Sequence, residues 1–368
     1  MIPLDFRREL HSNPELSFAE HRTQKFIIDA LKAEGIPYRA VAGTGVLAVI
    51  EGKRGNHERG VVLRADIDAL PIDEQNDVEF RSQHKGVMHA CGHDMHAAVL
   101  FVVLQELIRE RDFEGTLFGL FQPGEELNPG GASLVLKEDP FKGYDIAAVI
   151  GEHVDSHLEV GEIGICPGTF IASNDELRFT ITGRGGHAAR RNEIDDTVTA
   201  MADMVVRTTA LNSPNGVVSV GRMRAEGATN GIPSTTYAEG TMRTFDGEER
   251  ERIYAHLHGN ARIVEQKYGV EVKVDISRGY PSVVNDVMLS YEAMIVAMDE
   301  GIIVRELGKL TTAEDFGYYT ARYPALFYRL GVGKGSGSSH TATFLPDENA
   351  LEVGQRMMRR MALHILNK

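Results

Sequence analysis

Val61–Asp66 reads VVLRAD: an apolar, β-branched start that runs into charge. Such a run is the signature of a strand buried on both faces, as in a parallel sheet covered by helices. Two further runs share its form, GTLFGLF at Gly115–Phe121 and IAAVI at Ile146–Ile150, and VLAVI at Val46–Ile50 adds a fourth. The intervening periodicity is helical, from about His96 to Arg109 and from Ala132 to Lys137. Upstream, Pro3–Leu10 reads as a helix. A second helix runs to about Glu34, opened by a capping-box pattern in SFAE (Ser17–Glu20) and stopped by Gly35. This alternation predicts an α/β fold with a mixed central sheet flanked by helices. In such sheets a site is expected beyond the C-terminal ends of the strands. Asp66, Gln122–Glu126 and Glu152–His153 each follow one of these apolar runs.

The middle of the chain has a different rhythm. ELRFTITG (Glu176–Gly183), GVVSVGRMRAEG, TTYAEGTMRTFD and VEVKVDI (Val270–Ile276) alternate as half-buried strands do. Helical patterns from about Asp195 to Leu211 and Gly247 to Tyr268 complete a four-stranded antiparallel sheet with two helices. After Ser282 the strand and helix alternation resumes. The organisation expected is therefore a catalytic metal-binding domain over 1–172 and 283–368, with an α+β lid inserted at 173–282.

The balance of 39 basic against 53 acidic residues gives the 368-residue chain a net charge of −14, which disfavours nucleic acid and acidic membrane surfaces as partners. Cys91 and Cys166 are its only cysteines and cannot form a disulfide framework. MIPLDFRRELHSNPEL lacks the apolar core of a signal peptide, and no run has the length of a membrane span, so a cytoplasmic location is expected.

In MHACGHDMHAAVL (Met88–Leu100), Cys91 and His93 form a C-x-H pair of ligands suited to zinc and similar metals. The same stretch also reads as a helix start, with Asp94 as a cap and His96 opening an apolar face. FQPGEE places Glu125 and Glu126 side by side after a strand and a Pro-Gly turn, which allows one to hold a metal and the other a water, although adjacent carboxylates are commonly solvated charge. His153 in VIGEHV and His340 in GSSHTATF are two further candidates, each equally readable as a structural or loop residue. Together Cys91, His93, Glu126, His153 and His340 could supply two ions with one shared ligand.

The ordered motifs LRADIDALPIDE, MHACGHDMHAA, FQPGEE, GRGGHAA, TNGIP, GTMRTFD, TAEDF and HTATFLPDE resemble the aminoacylase-type metallopeptidases with two co-catalytic metals. The similarity is to the amidohydrolase branch that includes hippurate hydrolases, N-acetyl-diaminopimelate deacetylases and auxin–amino acid conjugate hydrolases, and it spans nearly the whole chain. It implies a zinc-exopeptidase-like fold and two divalent ions per subunit (Zn, Mn, Co or Ni). Cys91, His93, Glu126, His153 and His340 would be their ligands, Cys91 the bridging one. It further implies Glu125 as general base and Asp66 as support from behind the ligands. His187 would be a lid group for the scissile carbonyl, in some relatives serving a neighbouring subunit. Asn230 and Arg243 would anchor the substrate carboxylate, and a homodimer through the lid follows from the same likeness. Three departures stand out: Glu152 beside His153, Arg190 and Arg191 after His187, and LNPGGAS in place of a more glycine-rich run. TAEDF (Glu314, Asp315) resembles a structural segment near the site.

The activity implied is hydrolysis of N-acyl amino acids to a carboxylic acid and a free amino acid. A dipeptidase or aminopeptidase using the same metals is the alternative, with Glu152 the candidate partner for a substrate amine. A silent, metal-stabilised binding protein is disfavoured by the complete acid–base and ligand set.

Overall fold

The computed structural model describes residues 2–368; Met1, the first residue of the expected catalytic domain, lies outside them. The chain forms two compact units. The first comprises the residues up to Phe170, Val283–Lys309 and Asp315–Lys368; the second comprises Ile171–Ser282 and Leu310–Glu314.

The first unit opens with helices α1 (Pro3–Ser12) and α2 (His21–Ala33), then strands β1 (Tyr38–Val41), β2 (Gly45–Glu51) and β3 (Arg59–Asp66). Helix α3 (His93–Glu110), β4 (Thr116–Gln122), α4 (Gly131–Glu138), β5 (Asp145–Asp155), β6 (Glu162–Ile165) and β7 (Gly168–Ile171) follow. The second unit holds β8 (Asp175–Thr182), β9 (Gly186–His187), α5 (Thr197–Thr209), β10 (Gly216–Arg224), β11 (Gly231–Ile232), β12 (Thr235–Thr244), α6 (Gly247–Tyr268) and β13 (Glu271–Arg278). The first then resumes with β14 (Val283–Asn285), α7 (Val287–Asp299), β15 (Ile303–Glu306), α8 (Gly317–Thr320), β16 (Ala325–Gly331) and α9 (Ala350–Leu366).

Eight strands build the mixed sheet of the first unit in the order β1-β2-β4-β3-β5-β16-β6-β15. At its centre β4, β3, β5 and β16 run parallel, so their C-terminal ends share one edge. Every residue of β4 and β16 is buried, as the apolar runs require. Helix α3 has almost no polar face. It is buried continuously from His93 to Gln105, and its Phe101 ring stacks on Phe6 of α1 at 4.3 Å. No helix among the described residues is long and apolar enough to cross a membrane.

The second unit is the α+β arrangement that the alternation predicts. Its sheet has the order β10-β12-β8-β13, antiparallel throughout. On β8, Leu177, Phe179 and Ile181 point inward and join Met201 and Met204 of α5 and Leu257 and Val264 of α6 in one core.

Four local expectations change. Helix α3 starts at His93, three residues earlier than its apolar periodicity suggests, because Gly92 in the left-handed region (φ 82°) turns the chain into it. Glu152 and His153 lie within β5 and do not follow it. SFAE is not a capping box: Ser17 donates to Asp68 at 2.7 Å, and Glu20 accepts from Thr44 Oγ1 and the Gly124 N–H. Leu310–Glu314 returns to the lid unit, where Leu310 bridges Ile171.

Candidate metal centre

The parallel edge gathers what the sequence scatters. Asp66 ends β3, Glu125 and Glu126 follow β4, His153 sits near the end of β5, and His340 lies beyond β16. Cys91 and His93 arrive from the turn into α3. The Cys91 Sγ stands 3.3 Å from Nε2 of both His153 and His340. His340 Nε2 is 3.2 Å from Glu126 Oε1, and His93 Nε2 is 3.9 Å from the same oxygen.

Two groups with ion-holding spacing share the thiol: Cys91, His93 and His153, and Cys91, Glu126 and His340. A third joins His93 to Glu125 and Glu126. An orphan atom points the same way. Buried His93 Nε2 has no hydrogen-bond partner, and such an atom is costly to bury unless something pairs with it. A soft thiolate, three imidazoles and a carboxylate suit borderline divalent ions, so these residues fit a two-ion centre.

Electrostatics agree with that fit. Burial opposes a charge on His93, but Asp66 and Cys91 outweigh it and hold the imidazole well above the usual histidine range. Hydrogen bonds to Cys91 and Glu126 push His340 up to about 10. Burial and then Glu126 push the Cys91 thiol up. A field that retains protons on these lone pairs favours a cation in their place. His153 differs: burial and the nearby Arg329 hold it well below the usual range, so it is neutral. Its Nδ1–H donates to the Val154 carbonyl at 2.7 Å, which leaves Nε2 as a lone pair aimed at the cluster.

A second layer fixes these groups. The Asp68 carbonyl accepts from His93 Nδ1 at 2.9 Å, and its carboxylate accepts from the Glu126 N–H and from Ser17. Asp66 accepts from His96 Nδ1 at 2.6 Å and from Arg64 at 2.6 Å. Although burial works the other way, Arg64 and the two histidines hold Asp66 well below the carboxylate range. Arg64 also donates to Gln122 and Asp315, and burial pushes Asp315 up to about 6 against the pull of that guanidinium. Asp315 in turn accepts the Ala132 N–H in the first turn of α4, and the Gly131 N–H bonds the Gly124 carbonyl, so the turn bearing Glu125 is held from both sides.

His96 is no candidate ligand. Its Nδ1 meets Asp66 and its Nε2 accepts the Val154 N–H at 2.9 Å, so both nitrogens are spent. Asp94 makes no capping bond; it accepts from Arg7 and His11 at 2.7 and 2.8 Å. Glu152 is fully buried and accepts from the Tyr328 hydroxyl at 2.6 Å, and burial pushes its carboxyl up to about 8 against that bond. Sealed in the core, it cannot meet a substrate amine. Sequence reading missed Asp68 and Arg64. The signal for Arg64 was a charge inside an apolar strand, which must find partners when buried.

The lid residues are placed within their own unit. His187 pairs with Gly231 across β9 and β11, and the Ala188 N–H donates to the Asn230 carbonyl at 2.9 Å. The His187 Nδ1 accepts from the Ala189 N–H at 3.2 Å, which leaves Nε2–H as a donor. Arg243 on β12 lines a cleft of about 480 Å³ with Asp175, Arg178 and Glu239, and its Nη1 is buried without a partner. Arg190 and Arg191 are exposed and face Glu193 and Asp196 at 3.4 and 3.9 Å, the habit of a solvated loop.

With this fold and site, residues 62–364 match the family described as Peptidase family M20/M25/M40. The chain belongs to that family and is a hydrolase of amide bonds. It is 34% identical over 367 residues, 97% of this chain and 96% of the other, to the N-acetyldiaminopimelate deacetylase of Anoxybacillus flavithermus. Among solved structures, a dinuclear metal-binding peptidase of the M20 family from Bacillus subtilis superposes with a TM-score of 0.89 at 33% identity, covering 99% of this chain and 97% of that one. A candidate aminohydrolase from methicillin-resistant Staphylococcus aureus gives a TM-score of 0.93 at 29% identity, covering 99% and 96%.

Proposed function

We propose that this chain is a two-metal amidohydrolase that releases a carboxylic acid and a free amino acid from N-acyl amino acids. The observation that carries the reading is the pair of ligand groups joined at Cys91, with Glu125 beside them. The M20 relatives named above, a deacetylase and a dinuclear metal-binding peptidase, support it. Cys91, His93, Glu126, His153 and His340 would hold the ions, two divalent cations of the zinc, manganese, cobalt or nickel type. When bound, these would supply Lewis-acid charge that polarises the amide carbonyl and acidifies water.

The protein's own groups do the rest. Glu125 accepts the proton of the attacking water and passes it to the departing nitrogen, so one carboxylate serves as base and then acid. Asp68 keeps His93 in the orientation that aims Nε2 at the cluster, and Asp66 braces His96 and Arg64 behind it. The lid would contribute the His187 Nε2–H toward the developing oxyanion. Arg243 and Asn230 would anchor the substrate carboxylate, the guanidinium by its two-pronged fork. A homodimer through the lid fits the same reading, because β10 is an unpaired edge of the lid sheet. A cytoplasmic location belongs to the same proposal, in keeping with two cysteines that are both free. No observation favours an aminopeptidase once Glu152 is buried behind Tyr328.

The test is a hydrolysis panel of N-acyl amino acids against free dipeptides, with zinc, manganese, cobalt and nickel supplied in turn. Glu125→Gln should keep its metal content and lose at least about a hundredfold in turnover, the usual scale for a general base. Full activity in a metal-loaded Glu125→Gln enzyme would overturn the assignment.

A further inference from the structure

Helix α7, VMLSYEAMIVAMD, is apolar on both sides. Leu289, Ala293, Val296 and Ala297 face the core of the first unit. The outward side does not turn polar, as a surface helix should. Met288, Tyr291, Ile295 and Met298 are 67%, 52%, 54% and 62% exposed. Their spacing of three, four and three residues is the narrow seam by which one helix packs against another. Val287, and Ile303 on the neighbouring edge strand β15, widen the patch.

Six side chains, each leaving about half of roughly 150–200 Å² in water, expose roughly 450–600 Å², more than half of the ~800 Å² per partner of a standard interface. That is the upper end of what a monomer leaves uncovered.

Charge decides the occupant. Helix α7 carries no lysine or arginine, which is the wrong chemistry for an anionic membrane surface. Glu292, on its flank, is ion-paired with Lys368, and Glu300 with Arg360, which leaves Asp299 at the end of the helix as the exposed acid of this face. Two chains of net charge −14 repel over most of their surfaces, but least across a mainly apolar face whose flanking Glu292 and Glu300 are ion-paired. The seam is also self-complementary. A two-fold axis at its midpoint sets Met288 against Met298 of a second copy and Tyr291 against Ile295, as an isologous contact demands.

We propose that α7 is a two-fold contact between two copies of this chain, independent of the lid contact proposed above. The test uses the full chain in two variants. Met288→Glu/Met298→Glu should halve the wild-type mass in sedimentation equilibrium at micromolar concentration, whatever the lid contributes, with unchanged melting temperature and hydrolysis. Tyr291→Cys/Ile295→Cys should form a covalent dimer on mild oxidation, against a wild-type background in which Cys91 and Cys166 are buried. Equal masses for the wild type and the glutamate variant would overturn the proposal. So would a monomeric wild type, which leaves the face to a partner of another kind, or a cysteine variant that does not cross-link.

Discussion

Gly131→Ala tests how tightly the site depends on the turn that bears Glu125. A Cβ at Gly131 would lie 1.6 Å from the Pro123 carbonyl oxygen, a backbone atom that cannot swing aside. Carbon and oxygen in ordinary contact stand about 3.3 Å apart, so that carbonyl must retreat by roughly 1.7 Å. Glu125 is two residues further on. A misplacement of about 1 Å at a reacting group can cost a hundredfold in rate, or about 2.7 kcal/mol of barrier, and this displacement is larger. Overpacking of about 1–3 kcal/mol and the loss of the bond from the Gly131 N–H to the Gly124 carbonyl, about 1 kcal/mol, together lower stability by about 2–4 kcal/mol. That is survivable for many domains but large against the usual ~5–15 kcal/mol. The assay is steady-state hydrolysis of the best N-acyl amino acid, with bound metal measured on the same sample and denaturant melts alongside. Turnover within threefold of wild type would refute the claim that this close approach sets the catalytic geometry. Gly259→Ala is the matched control. In helix α6 its Cβ would meet nothing within 4 Å, so the variant should gain up to about 1 kcal/mol from helix propensity and leave turnover unchanged.

Three other expectations follow from buried charge. Arg250 holds Asp175 through two nitrogens at 2.9 and 2.5 Å inside the lid, so Arg250→Met should destabilise that unit by about 3–5 kcal/mol, read as faster proteolysis within 171–282, and adding Asp175→Asn should restore part of the loss. His11 lies between Asp94 and Glu74; burial pulls its imidazole down, but those carboxylates outweigh it and leave it raised above 6.5. The folded state therefore binds the proton more tightly. The stabilisation is complete below the unfolded value of about 6.5 and is lost as pH rises through the folded one. Denaturant melts from pH 6 upward should show a decline that His11→Gln flattens, and parallel curves would contradict the buried imidazolium. Arg64→Met removes the partner shared by Asp66, Gln122 and Asp315, and should cost more than about 3 kcal/mol while reducing bound metal.

Three of the four parallel strands, β3, β4 and β5, were readable because two-sided burial is written directly in apolar runs; β16 was not singled out, and the run at Val46–Ile50 is β2, antiparallel to β4. The ordered motifs also nominated the five-residue ligand set across segments 250 positions apart, and the structure brings those side chains together. What escaped was decided by partners no local pattern names. Asp66 and Asp68 look alike in RADIDAL, yet one meets Arg64 and His96 and the other meets Ser17 and the turn at Glu126. SFAE has the letters of a cap, but tertiary bonds to Thr44 and Gly124 outbid the helix end for Glu20. Glu152 seemed an odd charge beside a ligand, whereas strand alternation sends it to the opposite face from His153, against Tyr328.

The position of β16 in the sheet bears on how the chain is made. It lies between β5 and β6 and comes late in the chain, just before the His340 loop and α9. A ribosome therefore delivers β5, β6 and the contiguous lid segment 171–282 well before the strand that must lie between the first two. During that interval β5 lacks one neighbour and β6 has none of its final central contacts, so both offer unpaired edges to other nascent chains. The lid can fold while waiting; the catalytic sheet cannot. A chain cut short after Ser282 would carry an α+β unit lacking only its Leu310–Glu314 segment beside an open, sticky half-sheet, and production of the whole protein should gain from slower synthesis or from chaperones that shield those edges until β16 arrives.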